Sequence, residues 1–108
     1  MSTGRDEFQA RTRAYALRVI RLVRSLPRDV AGDVIGRQLL RSATSVGANY
    51  RPACRARSSA DFIAKLKIVE EEADESLYWL DLLVASITTV RKRVSSQSSI
   101  VNRQSAME

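Results

Sequence analysis

Residues 59–87 read SADFIAKLKIVEEEADESLYWLDLLVASI, and this stretch decides the fold class. Phe62, Leu66, Val69, Ala73, Ser76, Leu80, Leu83 and Ile87 recur at alternating intervals of four and three residues. That period places one side chain per turn on a single stripe, which predicts a long amphipathic helix. Ser58 with Asp61 three residues on reads as a capping box at its start. Asp61, Lys65, Ile68, Glu72, Glu75 and Trp79 form a second stripe, extended by Leu82. With Ile68, Trp79 and Leu82 off the main seam, the helix has more to bury than one neighbour covers. Two readings stand: a wide core face, or a surface between subunits with Ile68, Glu72, Trp79 and Leu82 as candidate interface residues.

Working outward, Phe8, Thr12, Tyr15, Val19, Leu22 and Leu26 keep the same spacing up to Pro27. They predict a first helix over about 6–26, with Arg11, Arg13, Arg18, Arg21 and Arg24 on its other side. Ile35, Leu39, Ala43, Val46, Tyr50 and Ala53 or Cys54 predict a second helix from Gly32 or Asp33 to Arg57. Its opposite stripe carries Arg37, Arg41, Arg51 and Arg55, which repel one another unless something anionic lies along them. Ser42, Ala43, Ser45, Gly47 and Ala48 are small enough for a neighbouring helix to approach closely. Asn49 sits near the core edge, placed to bond backbone groups. Pro52 lacks an N–H and clashes with the carbonyl four residues back, so it either kinks this helix or ends it. After Ile87 the pattern thins. Val90, Val94, Gln97 and Val101 keep the spacing among serines, which predicts a short fourth helix and a loose C-terminus. The whole chain, 1–108, reads as one all-α domain.

The net charge of +6 on 108 residues is unevenly spread. Residues 1–57 carry +8, residues 58–90 carry −5, and residues 91–108 carry +3. Arginine outnumbers lysine fifteen to three, and its planar fork suits phosphates and carboxylates. The arginines therefore have two candidate partners: an external polyanion, or the chain's own acidic third segment.

Much chemistry is missing from the sequence. There is no histidine, no glycine loop for phosphates, and no nucleophile beside a base. Glu70, Glu71, Glu72, Asp74 and Glu75 all lie on one segment, whereas a di-metal bundle draws its carboxylates from several helices. No enzyme activity, metal or cofactor is expected. Cys54 is the single cysteine, so no disulfide can form within the chain. Its place on an apolar stripe predicts a buried, inert thiol. No run reaches the ~20 apolar residues of a membrane span. Arginines interrupt the first helix, as they would not interrupt a signal peptide. The expected setting is cytoplasmic, with no membrane partner.

Residues 38–83, QLLRSATSVGANYRPACRARSSADFIAKLKIVEEEADESLYWLDLL, resemble the bacterial four-helix-bundle family of 23S rRNA intervening-sequence proteins. That family is similar to the accessory variability protein of diversity-generating retroelements. The resemblance rests on LRSATSVGANYR at 40–51, Arg55 to Arg57, Asp61-Phe62-Ile63, and Glu71 to Glu75 leading to Tyr78-Trp79-Leu80. Leu26-Pro27 also matches, and the similarity covers roughly residues 15–85. It implies an antiparallel up-and-down four-helix bundle, assembled as a homopentamer with a basic surface. It further implies a role with nucleic acid, RNA ahead of DNA, and supplies no active site. Pro52 and the weak fourth segment depart from the family pattern.

Two functions follow. In the first, the chain is a homo-oligomer that binds nucleic acid through arginine–phosphate contacts without reading sequence. The arginine stripes nominate Arg11, Arg18, Arg21, Arg24, Arg37, Arg41, Arg51 and Arg55. In the second, it is an assembly or protein-interaction module whose arginines pair with the acids of the third segment.

Overall fold

A computed structural model describes residues 3–107, with side chains placed for residues 3–87. It is all-α: α1 spans Gly4–Ser25, α2 Val30–Ala53 and α3 Ser59–Met107. No strand occurs among the described residues.

Each helix begins at a polar cap. Thr3 Oγ1 accepts the Asp6 N–H at 3.1 Å, and Asp6 Oδ2 accepts the Thr3 N–H, so two end donors are satisfied at once. Asp29 Oδ1 accepts the Gly32 N–H at 2.7 Å at the start of α2. Gly32 lies so close to the Pro27 carbonyl that a Cβ there would collide with it. Ser58 Oγ accepts the Asp61 N–H at 3.1 Å before α3. Asp61 reaches back to the Arg57 N–H and also accepts from Lys65 Nζ at 2.7 Å. The first helix stops because Pro27 disfavours helical backbone in the residue before it. Leu26 is accordingly extended, at ψ 148°.

Pro52 ends α2 rather than kinking it. The helix closes one residue later, at Ala53, and tight turns follow through Cys54, Arg55 and Ala56. The helix expected to reach Arg57 is therefore four residues shorter.

The four-helix bundle with a short or weak fourth helix is corrected to three helices. The segment expected to form helix four continues α3, which runs unbroken for 49 residues. The physical reason lies in what the chain lacks: after Pro52 there is neither glycine nor proline. Nothing terminates the helix at 88–90, and serine only lowers its propensity slightly. The side chains of Val90, Val94, Gln97 and Val101 lie outside those described. At ~1.5 Å per residue, 49 residues span about 73 Å, which accounts for the molecule's 76 Å long axis.

α1 and α3 both pack against α2, in alternating chain direction. Val19, Leu39, Ala43 and Leu83 form one buried cluster, ringed by Tyr15, Leu22, Ile35, Trp79 and Leu80. Val46, Tyr50 and Val69 form a second, joined to the first through Tyr15. Leu39 is completely buried, a burial that stabilises by roughly 1.5–3 kcal/mol. The small residues of α2 allow the close approach: a Cβ on Gly47 would lie 3.2 Å from Thr12 Oγ1. Phe8 sits edge-on to Tyr50 at 4.5 Å between ring centroids and closes one end.

Candidate nucleic-acid interface

Arginines project from the two helices and the turns that follow them. Arg11, Arg18, Arg21, Arg24, Arg37, Arg41, Arg51 and Arg55 are all exposed. They divide into four groups.

Arg24 and Arg37 come together with Arg28, which lies in the α1–α2 turn. These three line a cleft of about 420 Å³ between the end of α1 and the start of α2, beside Asp33. The antiparallel chain reversal creates this group, since Arg24 is near the end of one helix and Arg37 in the second turn of the next. Arg28 belongs to neither helical stripe, so apolar spacing does not nominate it. Its position one residue after Pro27, in a forced turn, was the available signal.

Arg51 and Arg55 lie at the opposite end. Arg55 falls outside α2, because Pro52 ends the helix before it. The straight stripe of four arginines expected on α2 is therefore not formed. Arg11, Arg18 and Arg21 are spread along α1, and no ion pair engages them among the described residues.

Arg41 is committed elsewhere. Its Nη1 donates to Glu72 Oε2 at 3.3 Å and its Nη2 to Glu75 Oε2. The Glu75 hydrogen bond raises the guanidinium pKa above its ordinary value. The same bond, helped by the Trp79 indole N–H, holds the Glu75 carboxyl below the usual carboxylate range. Part of the basic surplus is thus spent within the chain. An exposed pair of this kind fixes the register of α2 on α3 more than it adds stability.

The four candidate interface residues do not form a free patch. Glu72 is held by Arg41, and Trp79 packs against the main core cluster. Ile68 is exposed and Leu82 half-buried. Ile63 and Leu77 are exposed on a different face of α3.

Of two local expectations, that for Asn49 is met and that of a buried Cys54 is corrected. Asn49 Nδ2 donates to the Ser45 carbonyl at 2.8 Å. Cys54 is half-buried rather than fully enclosed, and its Sγ accepts from Gln9 Nε2 at 3.5 Å. Among the described residues, no group of three or more possible metal ligands converges.

What this surface offers chemically is a set of guanidinium forks able to bind anions bidentately. Two aromatic pairs pack together, Phe8 with Tyr50 and Tyr78 with Trp79, while Tyr78 keeps 56% of its surface exposed. No helix among the described residues is long and apolar enough to cross a membrane.

Three comparisons bear on the whole chain. A sequence model of the 23S rRNA-intervening sequence protein family matches residues 7–107. A crystal structure at 1.70 Å resolution shares the fold: a protein of unknown function from the S23 ribosomal protein family of Bacteroides thetaiotaomicron. It is 39% identical, superposes with a TM-score of 0.70, and the match covers 78% of this chain and 75% of that one. No curated protein matches the chain.

Proposed function

The chain belongs to the 23S rRNA-intervening sequence protein family, and from that premise we propose a non-enzymatic, homo-oligomeric protein that binds RNA through arginine–phosphate contacts. The observation that carries this reading is the cleft where Arg24, Arg28 and Arg37 converge. Three exposed guanidinium groups share this corner with one carboxylate, Asp33, which leaves net positive charge to attract a further anion. A ribose-phosphate backbone supplies such anions at regular intervals. No aromatic ring lines this cleft, so no platform stacks bases there and the recognition follows backbone and shape rather than sequence.

The test is filter binding of an unrelated structured RNA over a range of salt. For about three neutralised phosphates, the logarithm of the binding constant falls with a slope of roughly −2 to −3 against the logarithm of salt. Affinity that does not change with salt rejects the mechanism.

The Arg41 pair with Glu72 and Glu75 favours a second reading, an assembly module whose arginines serve internal and intersubunit contacts. An oligomer that ignores RNA at every salt concentration supports that reading instead.

A further inference from the structure

Two clefts of opposite character meet at the turn between α1 and α2. One is the cleft of about 420 Å³ that Arg24, Arg28 and Arg37 line. The other, of about 400 Å³, lies on the α3 side, and Leu26, Ile35, Leu83 and Ile87 make it apolar. Leu26, Pro27 and Gly32 line both clefts, so only the turn itself separates them. The turn packs closely on α2, since a Cβ at Gly32 would collide with the Pro27 carbonyl. Arg28 follows Pro27 directly and stands at the point where one cleft passes into the other.

The apolar cleft is an open end of the main core cluster. Leu83 is buried, Leu26 and Ile35 are half-buried, and Ile87 stays 48% exposed at its mouth. Its volume falls in the range of small-ligand pockets. At roughly 30 Å³ for a group the size of a water molecule, it has room for about a dozen methylene groups. Its one carboxylate, Asp29, is turned toward α2, where Oδ1 accepts the Gly32 N–H at 2.7 Å. Across the turn, three guanidinium forks share their cleft with a single carboxylate, Asp33. A phosphate monoester suits three forks better than a carboxylate does, because it brings up to two negative charges and three acceptor oxygens. A purely apolar ligand or a bare anion satisfies only one of the two clefts.

We infer that this corner binds a single amphiphilic phosphate monoester. Its phosphate sits among Arg24, Arg28 and Arg37. Its alkyl chain passes over Pro27 and enters the cleft between Leu26, Ile35, Leu83 and Ile87. The bounded volume admits one chain of limited length, which sets this site apart from adsorption to a bilayer. RNA binding uses the arginines alone, so the apolar cleft adds a ligand class that the proposed function does not contain.

The test is calorimetric titration of the unaltered chain with butyl, octyl, dodecyl and tetradecyl phosphate, each below its micelle-forming concentration. Each added methylene is expected to tighten binding about two- to fourfold while the cleft fills. The gain is expected to stop at about a dozen carbons, the room the cleft offers. Octanol and inorganic phosphate are each expected to bind at least about tenfold more weakly than octyl phosphate, since each forgoes one half of the site. Two variants divide the halves. Arg28→Ala with Arg37→Ala is expected to bring octyl phosphate down to the affinity of octanol. Ile87→Asp, at an exposed position, is expected to weaken octyl phosphate and leave inorganic phosphate unchanged. Affinity independent of chain length overturns the inference, and so does equal binding of octanol and octyl phosphate. A gain that continues undiminished to tetradecyl phosphate also overturns it, because it shows partition onto a surface. The inference and the RNA reading fail separately. RNA binding with a flat alkyl series rejects the amphiphile site alone, and a graded alkyl series without RNA binding rejects the RNA reading alone.

Discussion

The hydroxyls of Tyr15 on α1 and Ser76 on α3 lie 2.7 Å apart. Ser76 Oγ also lies 2.8 Å from the Ala73 carbonyl, which can only accept. Ser76 therefore donates to Ala73, and Tyr15 donates to Ser76. The pair links two helices whose backbones do not approach closely, at a point where Ser76 is fully buried.

That direction of donation predicts unequal mutants. Ser76→Ala strands the Tyr15 hydroxyl and is expected to cost about 1–3 kcal/mol. Tyr15→Phe leaves Ser76 bonded to Ala73 and is expected to cost only about 0.5–1.5 kcal/mol. Urea unfolding of both single variants and the double variant measures the difference. Equal losses that add independently would reject the coupling.

Gly47 faces Thr12 with almost no room for a side chain. Gly47→Val is expected to destabilise by about 1–3 kcal/mol through overpacking. Adding Thr12→Ala should return part of that loss, because it removes the hydroxyl the new side chain meets. Thermal unfolding of the cycle decides the matter. No recovery in the double variant means that something other than Thr12 sets the α1–α2 distance.

The sequence pattern carried the fold class and left the helix count wrong, and one feature explains both. The seam from Phe62 to Ile87 continues without a skipped step through Val90, Val94, Gln97 and Val101. Apolar spacing alone cannot distinguish one long helix from two helices joined by a turn. The absence of any glycine or proline near 88–90 was the deciding signal, and serine-rich composition obscured it. Pro52 could not be placed from spacing, because ending a helix and kinking one both follow from its missing N–H. The basic surface was legible as a charge, while its grouping was not. Arg24, Arg28 and Arg37 meet only because the chain reverses at Pro27. Arg41 lies on the expected stripe, yet packing on α3 hands it to Glu72 and Glu75.

Glu75 predicts a pH dependence. Its carboxyl is held below the usual carboxylate range, first by Arg41 and then by Trp79. A depressed carboxylate contributes stability that is present above its unfolded pKa and lost as pH falls through its folded pKa. The wild type is therefore expected to lose stability on acidification below about pH 4.5, and Glu75→Gln to lose less over the same window. Trp79, the single tryptophan, donates to Glu75 at 3.3 Å and reports the titration by fluorescence. Parallel stability profiles for the two proteins would remove Glu75 from the account.

The proposed RNA-binding surface predicts a contrast among arginines of equal charge. Arg24, Arg28 and Arg37 line an open cleft, whereas Arg41 already bonds two carboxylates. Releasing Arg41 to a phosphate would leave Glu72 and Glu75 facing the RNA, so it contributes little to binding. Each phosphate contact removed lowers the salt slope by about one. Arg24→Ala, Arg28→Ala and Arg37→Ala together are expected to flatten the slope by two to three, in keeping with about one per contact. Arg41→Ala should leave it unchanged. The comparison holds at equal net-charge change per substitution, so a generic loss of positive charge cannot produce it. A slope that falls equally for Arg41→Ala and for any single cleft variant would mean that the arginines act as a diffuse field, with no phosphate seated in the cleft.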